Sequence, residues 1–177
     1  QFDASVALKK SGILKVKQLP NNKIAIIAES WWKAKEAIND VVVEWNEGAF
    51  AKISSADLLS EYEGYLEKEC YPIRKDGNIE EAFRNAYKVI RSDFTFPFLA
   101  HAAMEPLNCT VHHQNDKAFM SMGGQFQTLY RNKCAEIYNI KPENVTYYNN
   151  YLGSSFGRRG NTQADFVVDA IHAAHHE

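Results

Sequence analysis

The chain has 177 residues, of which 45% are hydrophobic, 12% aromatic and 24% charged. This amount of apolar material can build a core, which excludes a wholly disordered chain, and the length predicts one domain or two small ones. A formal net charge of -2 provides no general basic field, so we expect no binding to nucleic acid. The longest apolar runs, such as residues 24–28, are far shorter than the roughly 20 residues that span a bilayer, so no transmembrane segment is predicted.

The chain begins with Gln1, and no basic segment followed by an apolar one opens it. We therefore expect an excerpt of a longer protein, without a targeting segment. The three cysteines, Cys70, Cys109 and Cys134, are widely separated and form no C-x-x-C motif. This spacing predicts neither a disulfide framework nor a thiolate metal site.

Hydrophobic patterning predicts a strand, strand, helix, strand order at the start of the chain. The strands are expected at residues 13–16, 24–28 and 41–45, and the helix at 31–38 with Ser30 as its N-cap. Two short helices are expected next, one capped by Ser55 and one over residues 79–86. The alternation of three aromatic residues then predicts a half-buried strand containing Phe94, Phe96 and Phe98.

The last part of the chain is predicted to hold a hairpin, two helices, a further strand and a glycine-rich turn. Asn115 and Asp116 form a turn dipeptide between the two hairpin strands. The expected segments are strands at 108–112, 118–122 and 145–151, helices at 126–137 and 164–176, and the turn at 153–160.

The turn from Gly153 to Gly160 is the most informative local feature. Small residues let backbone N–H groups approach a phosphate, while Arg158 and Arg159 add positive charge. The turn lacks the lysine of a P-loop and the glycine spacing of a dinucleotide-binding turn. A plain connection between a strand and a helix therefore stays open as the alternative.

Three other groups of residues allow both a chemical and a structural interpretation. His101 and Glu105 could act as a metal or acid–base pair, but Pro106 disfavours a helix there and favours a buried, hydrogen-bonded structural pair. His172, His175 and His176 have a spacing that could hold a transition metal, although ends of terminal helices often collect such residues. Trp31 and Trp32 could stack on a ligand, but adjacent positions on a helix favour one in the core and one at an interface.

Four stretches of the sequence resemble one known family in order and spacing. They are IIAESWWKA followed by VEW at 26–45, FLAHAAMEPLNCT at 98–110, Gln125 with the helix after it, and LGSSFGRR at 152–159. From Ala4 to Ala174 the chain resembles the molybdenum-binding large subunit of the xanthine dehydrogenase and aldehyde oxidase superfamily, and isoquinoline 1-oxidoreductase beta subunits look most similar.

This resemblance implies an α+β fold. Residues 1–47 would be a partial α/β hammerhead domain, 48–86 a connector, and 87–177 the N-terminal part of the molybdopterin-binding domain. The cofactor would be molybdopterin in its cytosine dinucleotide form, whose metal is not held by protein side chains. Gln125 would hydrogen-bond an oxygen ligand of the metal, and the cofactor would contact Gly153, Ser154, Ser155, Phe156, Gly157, Arg158 and Arg159.

The sequence departs from the family pattern at four places. Ser154 and Ser155 replace glycines, which adds Cβ atoms where the backbone passes close to the cofactor. Gly123 and Gly124 precede Gln125 where a threonine is common, and Gly160 stands where purine-oxidising members carry a glutamate, which argues against a xanthine-like substrate. Family segments with the remaining cofactor contacts and the catalytic glutamate base would lie beyond the chain. We therefore expect the isolated chain to bind no cofactor and to have no catalytic residue and no activity of its own.

The whole subunit would oxidise an aldehyde or N-heterocycle with oxygen from water. Because this chain has no cysteine pattern for a cluster, electrons would leave through an iron-sulfur small subunit. A periplasmic or partner-mediated membrane location is favoured over the cytoplasm. The alternative is a non-catalytic binding or assembly module of the same fold.

Overall fold

The computed structural model describes residues 1–175, and it mixes helices with small sheets, which confirms the α+β class. No helix in that range is long and apolar enough to cross a membrane. The strands are β1 Phe2–Asp3, β2 Ile13–Leu19, β3 Lys23–Ala28, β4 Val42–Val43, β5 Thr110–Gln114, β6 Lys117–Met122 and β7 Val145–Asn149. The helices are α1 Trp31–Ala37, α2 Ser55–Leu66, α3 Ile79–Asn85, α4 Gln127–Tyr138 and α5 Asp165–Ala174.

Contacts divide the chain into two compact units. The first combines Gln1–Glu44 with the chain from Leu99 onward, and the second is Trp45–Phe98. The division into a hammerhead domain, a connector and a cofactor domain stays a prediction.

The start of the first unit has the predicted order of strand, strand, helix and strand. β2 and β3 form an antiparallel hairpin, and Asn21 and Asn22 turn the chain with left-handed φ angles of 61° and 57°. Ser30 caps α1 by accepting a hydrogen bond from Lys33 N–H at 3.3 Å. β4 is shorter than predicted because it pairs only with the two-residue strand β1.

The core of the first unit lies between the sheet β5–β6–β7 and helices α4 and α5. β5 and β6 form the predicted hairpin with Asn115 at φ 56°, and β7 runs parallel to β6 after the α4 crossover. Alternate residues of β6 face the helices, so the sheet contributes one apolar face. The buried core residues are Ala118, Met120, Met122, Tyr130, Cys134, Ala135, Tyr138, Val145, Ala164, Val167 and Ile171.

The β2–β3 hairpin is joined to α5 by polar contacts. Lys23 Nζ lies 2.7 Å from Asp169 Oδ2, and Lys17 Nζ donates to the His175 carbonyl at 3.0 Å. These contacts tie the first residues of the chain to its last described helix.

The second unit contains α2 and α3. The N-cap of α2 is Ser54, one residue before the predicted Ser55, and it forms a capping box with Asp57. The predicted strand through Phe94, Phe96 and Phe98 is wrong, because these residues form no strand and their exposed fractions are 79%, 84% and 70%. A strand needs a hydrogen-bonded neighbour, and residues 87–98 have none within the described chain.

The prediction that one of the two adjacent tryptophans lies in the core is also wrong. Trp31 is 68% exposed and Trp32 is 59% exposed. Lys35 Nζ lies 4.9 Å from one ring centre and 5.5 Å from the other, a cation–π arrangement on the helix surface. The residue of α1 that is fully buried is Ala37 instead.

Gly124 is expected to tolerate no side chain. A Cβ atom there would lie 2.5 Å from Tyr130 Cε2 and 2.6 Å from the Tyr147 hydroxyl. We predict that Gly124→Ala lowers the free energy of unfolding by about 1–3 kcal/mol through overpacking, measured by chemical denaturation. Gly160→Ala is the control, because its Cβ would meet Gln125 at an ordinary 3.5 Å, and an equal loss in both variants would contradict this explanation.

Candidate functional site

Two parallel strands bring Gln125 and the glycine-rich turn to one edge of the sheet. Gln125 follows β6 after two glycines, and the turn starts a few residues after β7. Because parallel strands end at the same edge, loops that follow them meet there. The contact is direct, since the Ser155 hydroxyl lies 2.7 Å from Gln125 Oε1.

The turn has an unusual backbone. Ser154, Phe156 and Gly157 have left-handed φ angles of 81°, 52° and 93°, and a short 3-10 turn, Arg158–Gly160, follows. For the two non-glycine residues this conformation costs energy, so surrounding contacts must hold it. The turn that connects β7 to α5 is therefore stabilised by specific contacts with its neighbours.

Arg159 is the contact that holds the turn. Its side chain is fully buried, and its guanidinium donates to the carbonyls of Gly123 and Pro106, both at 3.0 Å. The same group lies 3.3 Å from Glu105 Oε2, and the Tyr130 hydroxyl donates to the Arg159 carbonyl. One side chain thus joins the ends of three segments that are far apart in sequence.

Glu105 fixes the first residue of the turn. Its Oε2 accepts Gly153 N–H at 2.6 Å, and its own N–H donates to the Gly153 carbonyl at 3.0 Å. A Cβ atom at Gly153 would lie 2.7 Å from Glu105 Cβ, so only glycine fits this approach. The hydrogen bonds from Asn108 and Gly153, with the neighbouring Arg159 guanidinium, hold the pKa of Glu105 below its usual value.

The predicted buried, hydrogen-bonded pair of His101 and Glu105 is wrong, although Glu105 does have a structural role through other partners. His101 is exposed, and no hydrogen bond joins it to Glu105. Sequence reasoning missed the partnership of Glu105 with Arg159 and Gly153. A signal would have required knowing that Arg159 is buried, since a buried arginine needs a carboxylate, and only the three-dimensional structure shows this burial.

Neither arginine of the turn offers a free positive charge. Arg158 is paired with Asp165 through two hydrogen bonds of 3.0 and 2.7 Å, which raise the pKa of Arg158 and lower that of Asp165. Arg159 is enclosed by protein. The expectation that both guanidiniums supply charge to a phosphate is replaced by a structural role for both side chains.

The hydrogen-bond donors that this site does offer are backbone and amide groups. The N–H groups of Ser154, Ser155, Phe156 and Gly157 have no protein acceptor among residues 1–175, and neither has the Nε2 of Gln125. A Cβ atom at Gly157 would meet no atom within 4 Å, so space is open beside the turn. Such a donor set suits a ligand with phosphate or carbonyl oxygens.

The remaining candidates do not form a second site. No group of three or more possible metal ligands occurs within the described chain. His172 and His175 are half-buried, and His176 lies outside the described residues. The cysteines are free thiols, and burial raises the pKa of Cys109 to about 12 and of Cys134 to about 11, so both are protonated.

Replacing Arg159 is expected to be far more damaging than replacing Arg158. Arg159→Met leaves the buried Gly123 carbonyl and the partly buried Pro106 carbonyl without this donor, which should cost about 1–3 kcal/mol or more of unfolding free energy. Arg158→Met breaks a partly exposed pair and should cost about 1 kcal/mol or less. Chemical denaturation of the two variants measures the difference, and equal losses would exclude Arg159 as the holding contact.

The depressed pKa of Glu105 predicts a pH dependence of stability. Its stabilising contribution is present above its ordinary pKa of 4.5 and is lost as the pH falls through the lower folded value. Below pH 4.5 the unfolding free energy of Glu105→Gln should therefore fall less steeply than that of the parent chain. Glu143→Gln, which removes an exposed carboxylate elsewhere, should retain the parent's slope in the same denaturation series.

Comparisons with known proteins identify a family for this part of the chain. The sequence profile of the molybdopterin cofactor-binding domain matches residues 63–176, a range that includes Gln125 and the whole turn. The chain is also similar to a curated protein of Gluconacetobacter polyoxogenes, a membrane-bound aldehyde dehydrogenase (pyrroloquinoline-quinone), at 25% identity over 160 residues. That alignment covers 89% of this chain and 20% of the relative, so the chain spans about a fifth of its length. Because the profile matches well over half of its residues, the chain belongs to the molybdopterin cofactor-binding domain family.

Proposed function

We propose that this chain is part of the large subunit of a molybdenum hydroxylase, in which it binds the pterin cofactor. The whole protein would oxidise an aldehyde or an N-heterocycle with oxygen derived from water. The observation that carries the proposal is the contact of Gln125 with a turn whose backbone N–H groups lack protein acceptors, inside the matched range.

The residues present fit a pterin dinucleotide by their chemistry. The phosphate and pterin oxygens of such a cofactor are acceptors, and the site offers N–H donors from residues 154–157 and from Gln125. The open space beside Gly157 leaves room for a ligand. Arg158 and Arg159 act by holding the turn, since their guanidiniums are engaged within the protein.

In the proposed site each residue of this chain has a limited task. The cofactor, when bound, supplies the two-electron redox chemistry. With the cofactor bound, Gln125 would donate a hydrogen bond to it, and the backbone N–H groups of residues 154–157 would bind and orient it. We assign no proton-transferring residue to this chain, and we place the base in another segment of the whole protein.

The name of the relative indicates pyrroloquinoline-quinone as its cofactor, whereas the matched family is a molybdopterin-binding one. We favour molybdopterin because the profile match contains both Gln125 and the turn. The cytosine dinucleotide form, closeness to isoquinoline 1-oxidoreductase beta subunits and an iron-sulfur partner subunit belong to the same proposal. The relative's name, a membrane-bound aldehyde dehydrogenase, supports an aldehyde substrate and a membrane association through partners. A periplasmic location is part of the same proposal.

Replacing Gln125 tests the proposal. In the whole protein, Gln125→Ala should reduce molybdenum content or turnover about 10- to 100-fold, because contacts to metal ligands have effects of this size. The fold should stay intact, since the side chain is exposed and makes one hydrogen bond within the described chain. Elemental analysis measures the molybdenum content, pterin fluorescence the pterin content, and aldehyde oxidation the turnover.

Gln127→Ala is the matched control, because Gln127 begins α4 beside the site and bonds only to the Gly124 carbonyl there. Unchanged molybdenum content and turnover in Gln125→Ala would contradict the role of Gln125. Absence of molybdenum from the parent protein would instead favour the non-catalytic assembly module, and a bound quinone would favour the cofactor in the relative's name.

A further inference from the structure

Ser155 is the centre of a short hydrogen-bonded chain between Gln125 and the backbone of Arg159. Its hydroxyl oxygen lies 3.0 Å from Arg159 N and 2.7 Å from Gln125 Oε1. The backbone N–H of Arg159 can only donate, so the hydroxyl oxygen accepts this bond. The single hydroxyl proton of Ser155 then needs an acceptor.

Only one orientation of the Gln125 amide provides that acceptor. With Oε1 toward Ser155, the hydroxyl donates its one proton to Gln125 and accepts a hydrogen bond from the backbone N–H of Arg159. With the amide reversed, Nε2 would face the hydroxyl, and the Ser155 proton would have no acceptor among the described residues. The direct bond to Ser155 therefore selects this orientation of the solvent-exposed amide.

We propose that Ser155 is a positioning residue that orients the Gln125 amide so that its N–H donors, and not its carbonyl, face the cofactor. The identity of the acceptor rests on the proposed function, but the orientation rests on contacts within this chain. A glycine at this position could not perform the task, because it has no hydroxyl. Serine in place of the family's glycine thus adds a hydroxyl group that makes this hydrogen bond, as well as a Cβ atom.

Among the described residues, Ser155 is the one whose side chain hydrogen-bonds the Gln125 amide. Gly160 also lies beside the amide, where a Cβ atom would be 3.5 Å from Oε1, and it contributes no side-chain bond. Ser154 makes no side-chain hydrogen bond within the described chain. Ser154→Ala therefore removes a hydroxyl from the same turn without touching the network, which makes it the matched control.

The orientation can be measured on the chain without any cofactor. In isotope-labelled protein, the carboxamide carbon and NH₂ signals of Gln125 report whether its carbonyl accepts a hydrogen bond. We expect Ser155→Ala to shift these signals and to exchange NOE contacts of the NH₂ group, Ser155→Thr to restore them, and Ser154→Ala to leave them unchanged. Gln125 signals that are the same in Ser155→Ala and in the parent chain would overturn the inference.

A second variant keeps the test valid if Ser155→Ala does not fold. Gln125→Glu retains an acceptor for the Ser155 hydroxyl but removes the N–H donors. In the whole protein it should lower molybdenum retention about tenfold or more, as Gln125→Ala does. Full retention in Gln125→Glu would overturn the requirement for a donor, whereas a parent protein without molybdenum would refute the proposed function and leave the NMR result to decide the orientation.

Discussion

The burial of one charged side chain, Arg159, is the constraint on which the rest of the site depends. A guanidinium removed from water must replace its hydration with protein acceptors, and Arg159 finds them in Gly123, Pro106 and Glu105. These acceptors belong to two separate loops at the sheet edge, one at residues 105–106 and one at Gly123 after β6. The need to satisfy one cation therefore sets the relative positions of these loops more tightly than apolar packing would, because hydrogen bonds are directional.

The same constraint explains how a strained turn persists. Ser154 and Phe156 stay in left-handed conformations because the chain is fixed on both sides, by Glu105 at Gly153 and by the buried side chain at Arg159. Between these two fixed points the backbone N–H groups of residues 154–157 have no protein acceptor in the described chain. In the proposed function, this strain and these donors would preorganise the turn for its ligand.

The elements that could be predicted from the sequence depend on local physics. The Ser30 cap, the Asn115 turn and the amphipathic helix α4 each depend on residues close in the chain, and the structure contains all three. The predictions that failed depend on distant partners. The alternating phenylalanines 94–98 need a neighbouring strand, and the buried tryptophan of the pair needs a packing surface that is absent from the described chain.

Burial of the candidate residues was equally hard to predict. An arginine in a glycine-rich turn is expected at the surface, where it would meet a phosphate, because charged residues are rarely buried without partners. Arg159 is buried because Glu105, 54 residues earlier in the chain, returns to the same place. The resemblance placed Gln125 and the turn in one site, and the hydrogen bond from Ser155 brings them together, but the contacts with Glu105 come only from the three-dimensional arrangement.

The parallel pairing of β6 and β7 has a consequence for how such a protein can diversify. Residues within these strands and in α4 specify the core, whereas Gln125 and residues 153–160 lie after the strand ends. The residues that specify the apolar core thus lie mostly outside the segments that would contact a ligand, although Arg159 of the turn also stabilises the fold. Substitutions such as glycine to serine in the turn can alter what is bound while the strand register is kept, so new specificities are accessible by small steps from a folded ancestor.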